Sequence, residues 1–330
     1  MKLKSSGLID LHFHGAFGID LMTARAVELE KLSQKLGKAG ISAFCPTTLS
    51  DTPDHLLRAV IELGAFIRAK RDPKHAQPVG IHLEGPFLAQ SARGAHSEKV
   101  IRKATLDELD ALWAQSQETL KIITLAPETL SPEALKKVTL WCERRKIILS
   151  LGHSKCTQKQ AENAFNLGFK GVTHAWNAMP FHHREPGILG AALKNKNVYL
   201  EIIPDQIHLS RETIELTRKA HSGPVCFVSD CAPAAGLKEG VRTRFGNLII
   251  EYREGASYIK SSDALAGGGQ ILIDSLTNLL NDLIDDGRIK SRADLKAFVD
   301  CATLNPARAL GLSQKILKNG PKLEWSIIPA

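Results

Sequence analysis

Eight short apolar runs, each bounded by turn or cap residues, alternate with segments of helical spacing through most of this 330-residue chain, and that alternation leaves few folds open. The runs lie near residues 7–11, 41–45, 79–83, 121–125, 147–151, 171–173, 198–203 and 225–228. Between them, apolar residues recur at helical spacing from Arg25 to Lys38, His55 to Lys70, Leu106 to Thr119, Pro132 to Arg145, Gln158 to Leu167, Ile188 to Lys194 and Arg211 to Ala220. Strands that alternate with helices imply parallel βαβ units. Eight units without a break predict a closed (β/α)₈ TIM-like barrel rather than an open sheet. Beyond the eighth run, Phe245 to Ile250 and Ala256 to Lys260, joined by Arg253-Glu254-Gly255, read as a β-hairpin near 245–260. The cluster Ala266-Gly267-Gly268-Gly269 lacks the terminal lysine of a phosphate loop and reads as a loop-to-helix joint. Helices near Ile271–Ile284, Ser291–Cys301 and Pro306–Leu310 follow. One barrel domain over 1–312 and a tail over 313–330 account for the chain.

Composition excludes several classes. The formal charge is +8, but the basic residues are spread out and aromatics make up only 5%, so a stacking platform for nucleic acid has no support. No apolar stretch of about 18 residues suggests a membrane span, and Met1 to Ser6 lack the apolar core of a secretory signal. A soluble, cytoplasmic protein is expected. Six scattered cysteines without a C-x-x-C pair argue for reduced thiols rather than a disulfide framework or zinc ribbon. Cys156 and Cys231 stand near candidate site residues, where simple packing is the expected role.

The chemistry-bearing residues sit where the runs end. His12 and His14 are two apart, so on a strand both imidazoles face one side at its carboxyl end. Glu84, His153, His174, His208 and Asp230 follow the third, fifth, sixth, seventh and eighth runs. In a parallel barrel these ends converge on one rim, the usual place for barrel chemistry. Glu84, His153 and His174 form a His₂Glu set for a catalytic divalent ion, Zn²⁺ in the first instance and Fe²⁺ as the alternative. Water held by such an ion loses a proton near neutral pH and becomes the nucleophile. His12 and His14 offer a second ion site, bridged through Glu84, so one or two ions are expected. Asp230 suits a general acid/base that takes the proton of the attacking water and passes it to the leaving amine. His208 suits a contact to the substrate carbonyl or a hydroxyl. Arg184, in the long segment after the sixth run, carries a donor fork suited to phosphate, with Asn177 nearby as a neutral donor.

At these residues the chain resembles the N-acetylglucosamine-6-phosphate deacetylase family of the amidohydrolase superfamily. The matching stretches include Ile9-Asp10-Leu11-His12-Phe13-His14-Gly15, His82-Leu83-Glu84-Gly85-Pro86-Phe87, Arg93-Gly94-Ala95-His96, Gly152-His153-Ser154, Thr173-His174-Ala175-Trp176-Asn177-Ala178-Met179 and His183-Arg184-Glu185-Pro186-Gly187. They run in order over most of residues 7–312. The resemblance implies a metal-dependent barrel, commonly dimeric, that hydrolyses the acetamide of N-acetylglucosamine 6-phosphate. It implies Glu84, His153 and His174 as metal ligands and Asp230 as acid/base. His208, Asn177, Ala178, Arg184 and His96 are the implied substrate contacts, with Arg184 on the phosphate. A phosphate-binding arginine in this family can come from the neighbouring subunit, which makes a homodimer part of the expectation.

The family usually adds a small β-rich domain around the barrel, and here it is expected to be largely missing. Gln206 stands where a glycine is usual, and the neighbours of Asp230 are altered. The alternative reading is another amidohydrolase acting on a different N-acyl or cyclic amide, since the same groups serve any such carbonyl. A catalytically silent metal- or sugar-binding regulator is the reading from another class, favoured only by loss of Asp230 or of two ligands, and none is lost.

Overall fold

A computed structural model describes residues 2–262, 264–313, 316 and 320–326. The chain opens with β1 (Lys2–Ser6). Eight parallel barrel strands follow: β2 (Leu8–Phe13), β3 (Ile41–Thr48), β4 (Ile81–Glu84), β5 (Leu120–Leu125), β6 (Ile148–Leu151), β7 (Gly171–Val172), β8 (Tyr199–Ile202) and β9 (Val225–Phe227). Each pairs with its sequence neighbour in that order. Residues β2 and β3 are buried along their whole length, as befits parallel strands covered on both faces.

Closure runs between β2 and the segment just after β9. The Asp230 amide donates to the His12 carbonyl (3.0 Å) and the His14 amide to the Cys231 carbonyl (2.9 Å). Asp10, a carboxyl buried within an apolar strand, accepts from the amide of Ser229 at 3.1 Å and its hydroxyl at 2.5 Å. That carboxyl therefore replaces missing ladder bonds at the seam. Burial pushes its pKa up to about 7.

Inside the barrel, Ile9, Leu11, Ala43, Cys45, Ile122, Tyr199, Cys226 and Val228 form one apolar cluster, while a larger one joins the strands to the surrounding helices. The crossover helices are α1 (Ala26–Lys38), α2 (Pro53–Arg68), α3 (Leu106–Gln115), α4 (Pro132–Arg144), α5 (Gln158–Leu167), α6 (Gly187–Leu193) and α7 (Arg211–Ala220). Side-chain caps start most of them just after the rim: Thr52 ahead of Pro53, Ser131 ahead of Pro132, Ser210, and Thr157 in a reciprocal box with Gln160. Then come α8 (Leu272–Asp285), α9 (Arg292–Asp300) and α10 (Leu304–Ala309).

Two expectations are revised. The hairpin is part of a four-stranded antiparallel meander: β10 (Arg242–Phe245), β11 (Leu248–Arg253), β12 (Ala256–Ile259) and β13 (Leu265–Gly268). The glycine cluster is thus mostly an edge strand. Its small residues allow close approach, because a Cβ on Gly268 would stand 2.2 Å from the Ser229 carbonyl oxygen and one on Gly267 would stand 2.7 Å from that of Asp230. Nor is all of 313–330 a simple tail. β14 (Lys322–Ser326) pairs antiparallel with β1, and Trp325, buried, donates its indole N–H to Ser5 Oγ at 2.9 Å. Residues 314–315, 317–319 and 327–330 of that segment lie outside the described residues.

Candidate metal centre

The strand ends do converge. His12 and His14 close β2 with their Nε2 atoms 3.0 Å apart, as the two-residue spacing requires of one face. Glu84, the last residue of β4, reaches between two imidazole pairs. Its Oε1 lies 3.1 Å from His153 Nε2 and 3.0 Å from His174 Nε2. Its Oε2 lies 3.1 Å from His14 Nε2 and 3.5 Å from His12 Nε2. Asp230 Oδ1 stands on that second side, 3.2 Å from His12 and 3.4 Å from His14. His153 and His174 Nε2 are themselves 3.0 Å apart. All of these side chains are buried.

Such crowding has a clear electrostatic cause and consequence. Burial alone would raise the pKa of Glu84, but the facing imidazoles of His12, His14 and His153 hold it well below the usual carboxylate range. Asp230 is likewise held low, against burial, by His12 and His14. Conversely, burial disfavours a charged His12, yet Glu84, Asp230 and Glu201 raise its pKa well above the ordinary value. Nitrogens pressed together around carboxylate oxygens in a dry place suit a shared cation, and His14–Glu84–His12 and Glu84–His96–His153 each gather ligand atoms within 4.8 Å. The residues fit a divalent ion.

Backbone conformation at these ends is itself unusual. His153 (φ 48°), His174 (φ 28°) and Asp230 (φ 48°) are all left-handed, a cost of order 1 kcal/mol each that packing sustains at functional positions. Gln206 (φ 62°) is left-handed too, which accounts for a glycine in the family pattern; here its side chain donates to Asp282 Oδ2 at 2.6 Å, a bond glycine lacks.

A cavity of about 180 Å³ opens over the cluster, lined by His14, Glu84, His96, His153, His174, Asn177, Ala178, His208 and Asp230. His208 gives its Nδ1 to Asp205 Oδ2 (2.7 Å), while Asp205 Oδ1 accepts from the amides of Ile207 and His208. Burial lowers the pKa of His208, but Asp205 more than offsets it. His96 hydrogen-bonds Ser50 Oγ (2.7 Å) with its Nε2 3.4 Å from Glu84 Oε2, and burial brings it down to about 4. It therefore stands among the ligand atoms as well as on the cavity wall. Phe245 and Ala266–Gly267 bring the meander over the opening.

Two expected site residues do not line the cavity: His12, fully buried beneath it, and Arg184. Arg184 lies exposed on the loop after β7, and its Nε donates to the neighbouring His183 Nε2 at 3.2 Å. A neighbouring cleft that shares Gly94 and Ala178 with the cavity is lined instead by Arg93 and Lys155. Among the described residues no carboxylate lines it.

Sequence reasoning passed over Glu201, Asp205, Ser50 and His82. Glu201 Oε2 accepts from His12 Nδ1 at 3.1 Å and from the His174 amide at 3.3 Å. Its signal was visible in Tyr199-Leu200-Glu201-Ile202-Ile203, an acid amid a barrel strand. His82 has both ring nitrogens engaged, with the Leu11 carbonyl (3.0 Å) and Thr124 Oγ1 (2.7 Å), and is structural. All six cysteines are free and buried, in keeping with packing at Cys156 and Cys231. Among the described residues no helix is long and apolar enough to cross a membrane.

Residues 4–316 match the model of the Amidohydrolase family. The chain is 31% identical over 312 residues to the N-acetylgalactosamine-6-phosphate deacetylase of Escherichia coli O157:H7, covering 94% of this chain and 79% of that one. It is 31% identical over 327 residues to the N-acetylglucosamine-6-phosphate deacetylase of Danio rerio, covering 95% and 77%. Among solved structures, a variant N-acetyl-D-glucosamine-6-phosphate deacetylase from Mycobacterium smegmatis in complex with N-acetyl-D-glucosamine-6-phosphate superposes with a TM-score of 0.85 at 26% identity, covering 94% of this chain and 78% of that one.

Proposed function

The chain belongs to the amidohydrolase family, and from that premise we propose that it hydrolyses the N-acetyl group of N-acetylglucosamine 6-phosphate to glucosamine 6-phosphate and acetate. The observation that carries this reading is Glu84, whose two oxygens separate two imidazole pairs while Asp230 faces one of them across the cavity floor. Its relatives' names supply the substrate class.

His153, His174 and Glu84 Oε1 would hold one divalent ion, and His12, His14 and Glu84 Oε2 a second. Nitrogen and carboxylate donors without thiolate suit Zn²⁺, with Fe²⁺ as the alternative. When bound, the metal polarises the acetamide carbonyl and supplies, from water, a nucleophile at neutral pH. Asp230, kept ionised by its neighbours, accepts the proton of the attacking water and returns it to the sugar nitrogen as the C–N bond breaks. The amine then departs neutral and the acyl carbon leaves as acetate. His208, oriented by Asp205, offers its remaining ring nitrogen to the carbonyl oxygen or a sugar hydroxyl. Asn177, Ala178 and His96 line the sugar's place, and Arg184 takes the phosphate, with Arg93 and Lys155 beside its path. Arg184 and the 51%-exposed Phe181 share an exposed loop, which supports a homodimer in which a second copy covers it.

Acetate release with added divalent metal tests the reading directly, using N-acetylglucosamine with and without the 6-phosphate. Release from the phosphate ester is expected, and none from either sugar would reject the substrate class. A second reading rests on the E. coli O157:H7 relative: the galactosamine epimer as substrate, decided by the same assay run on N-acetylgalactosamine 6-phosphate.

A further inference from the structure

Glu201 has no part in the chemistry proposed above, yet it is fully buried on β8, and among the described residues its one ion-pair partner is His12. A carboxylate placed so deep is costly unless hydrogen bonds and a nearby positive charge compensate. Among the described residues both of its hydrogen bonds run to the candidate metal cluster: Oε2 accepts from His12 Nδ1 at 3.1 Å and from the backbone amide of His174 at 3.3 Å, while Oε1 has no partner. With Nδ1–H committed to Glu201, the lone pair of His12 lies on Nε2, the atom 3.2 Å from Asp230 Oδ1 and 3.0 Å from His14 Nε2. His82 packs edge-on against the same ring, 4.6 Å between centroids, and fixes its plane.

We infer that Glu201 is a positioning residue that selects the ion-binding tautomer of His12 and so determines whether the His12–His14 side of the cluster holds its own divalent ion. This rests on the metal reading above and deepens it. On the His153–His174 side Glu201 meets only the His174 backbone amide and no ring nitrogen, so that side is expected to keep its ion when Glu201 is replaced. Carboxylates behind metal-bound imidazoles commonly govern affinity by about 10–100-fold.

The test measures zinc stoichiometry by plasma mass spectrometry after dialysis, and affinity by calorimetric titration, on the wild type, Glu201→Gln, Glu201→Leu and His14→Ala. Two ions are expected in the wild type. Glu201→Leu should behave as His14→Ala does, keeping one ion and binding the second roughly 10–100-fold more weakly. Glu201→Gln, which retains an acceptor but loses the charge, should fall between. Cooperative thermal unfolding of each apo-protein guards against a folding failure. Two ions bound with unchanged affinity in Glu201→Leu would overturn the inference while leaving the proposed function intact. A wild type with one ion would overturn it as well. A wild type that takes up no ion would instead remove the proposed function on which it stands.

Discussion

Single residues divide the labour at this site by where their second bond goes. His82 spends both nitrogens on structure, His208 spends one on Asp205, and His12 spends one on Glu201. Asp230 faces His12 and His14 from the rim, and the proposed function gives it the proton traffic. Asp230→Asn should therefore lower kcat by about 10²–10⁴-fold with little change in KM, measured on metal-loaded enzyme. Arg184 makes the opposite prediction. Losing a charge-assisted bond to phosphate costs about 1.5–3 kcal/mol, so Arg184→Gln should raise KM for the phosphate ester at least about tenfold and leave the unphosphorylated sugar untouched. An unchanged KM would shift that role to Arg93 and Lys155, which already line the adjoining cleft.

At the level of elements, the meander and the barrel seam depend on one another. Gly268 donates to the Asp230 carbonyl at 2.7 Å and leaves no room for a Cβ. Gly268→Ala should cost about 1–3 kcal/mol in denaturant unfolding and depress kcat as well, because the displaced backbone is that of Asp230, the proposed acid/base. Helix α7 ends at His221, which does not line the cavity. Burial lowers the pKa of His221, whose Nε2 donates to the Val198 carbonyl at 2.9 Å. The unfolded chain then binds the proton more readily than the folded one. The stability His221 contributes is present above its ordinary value of 6.5 and is lost as pH falls through it, by at most about 1.4 kcal/mol per pH unit. In the apo-protein, the stability difference between wild type and His221→Gln should shrink as pH drops from about 7 to 5.

The molecule as a whole is tied together at its ends. β1 and β14 come from opposite ends of the chain and form a two-stranded ribbon, with Leu3 and Trp325 buried across from each other. None of its residues lines the metal cavity. Trp325→Ala should destabilise by about 3 kcal/mol or more, seen as a lower Tm, with kcat per folded molecule unchanged. A fall in kcat at temperatures where the variant is fully folded would show that the ribbon also shapes the site.

Local chemistry sufficed to read the barrel, since apolar runs bounded by caps and separated by helical segments admit few closed arrangements, and most run ends carry a candidate site residue. His12 and His14 needed nothing beyond strand periodicity to be paired. What depended on tertiary structure was anything set by approach between distant segments. The glycine cluster looked like a joint because its constraint is the backbone of Ser229, some forty positions away. Glu201 read as one acid within a strand until the barrel brought it beneath His12. Residues 322–326 found their partner only at the other end of the chain. Spacing along a chain determines which face a side chain takes; which groups then meet there depends on how the sheet closes.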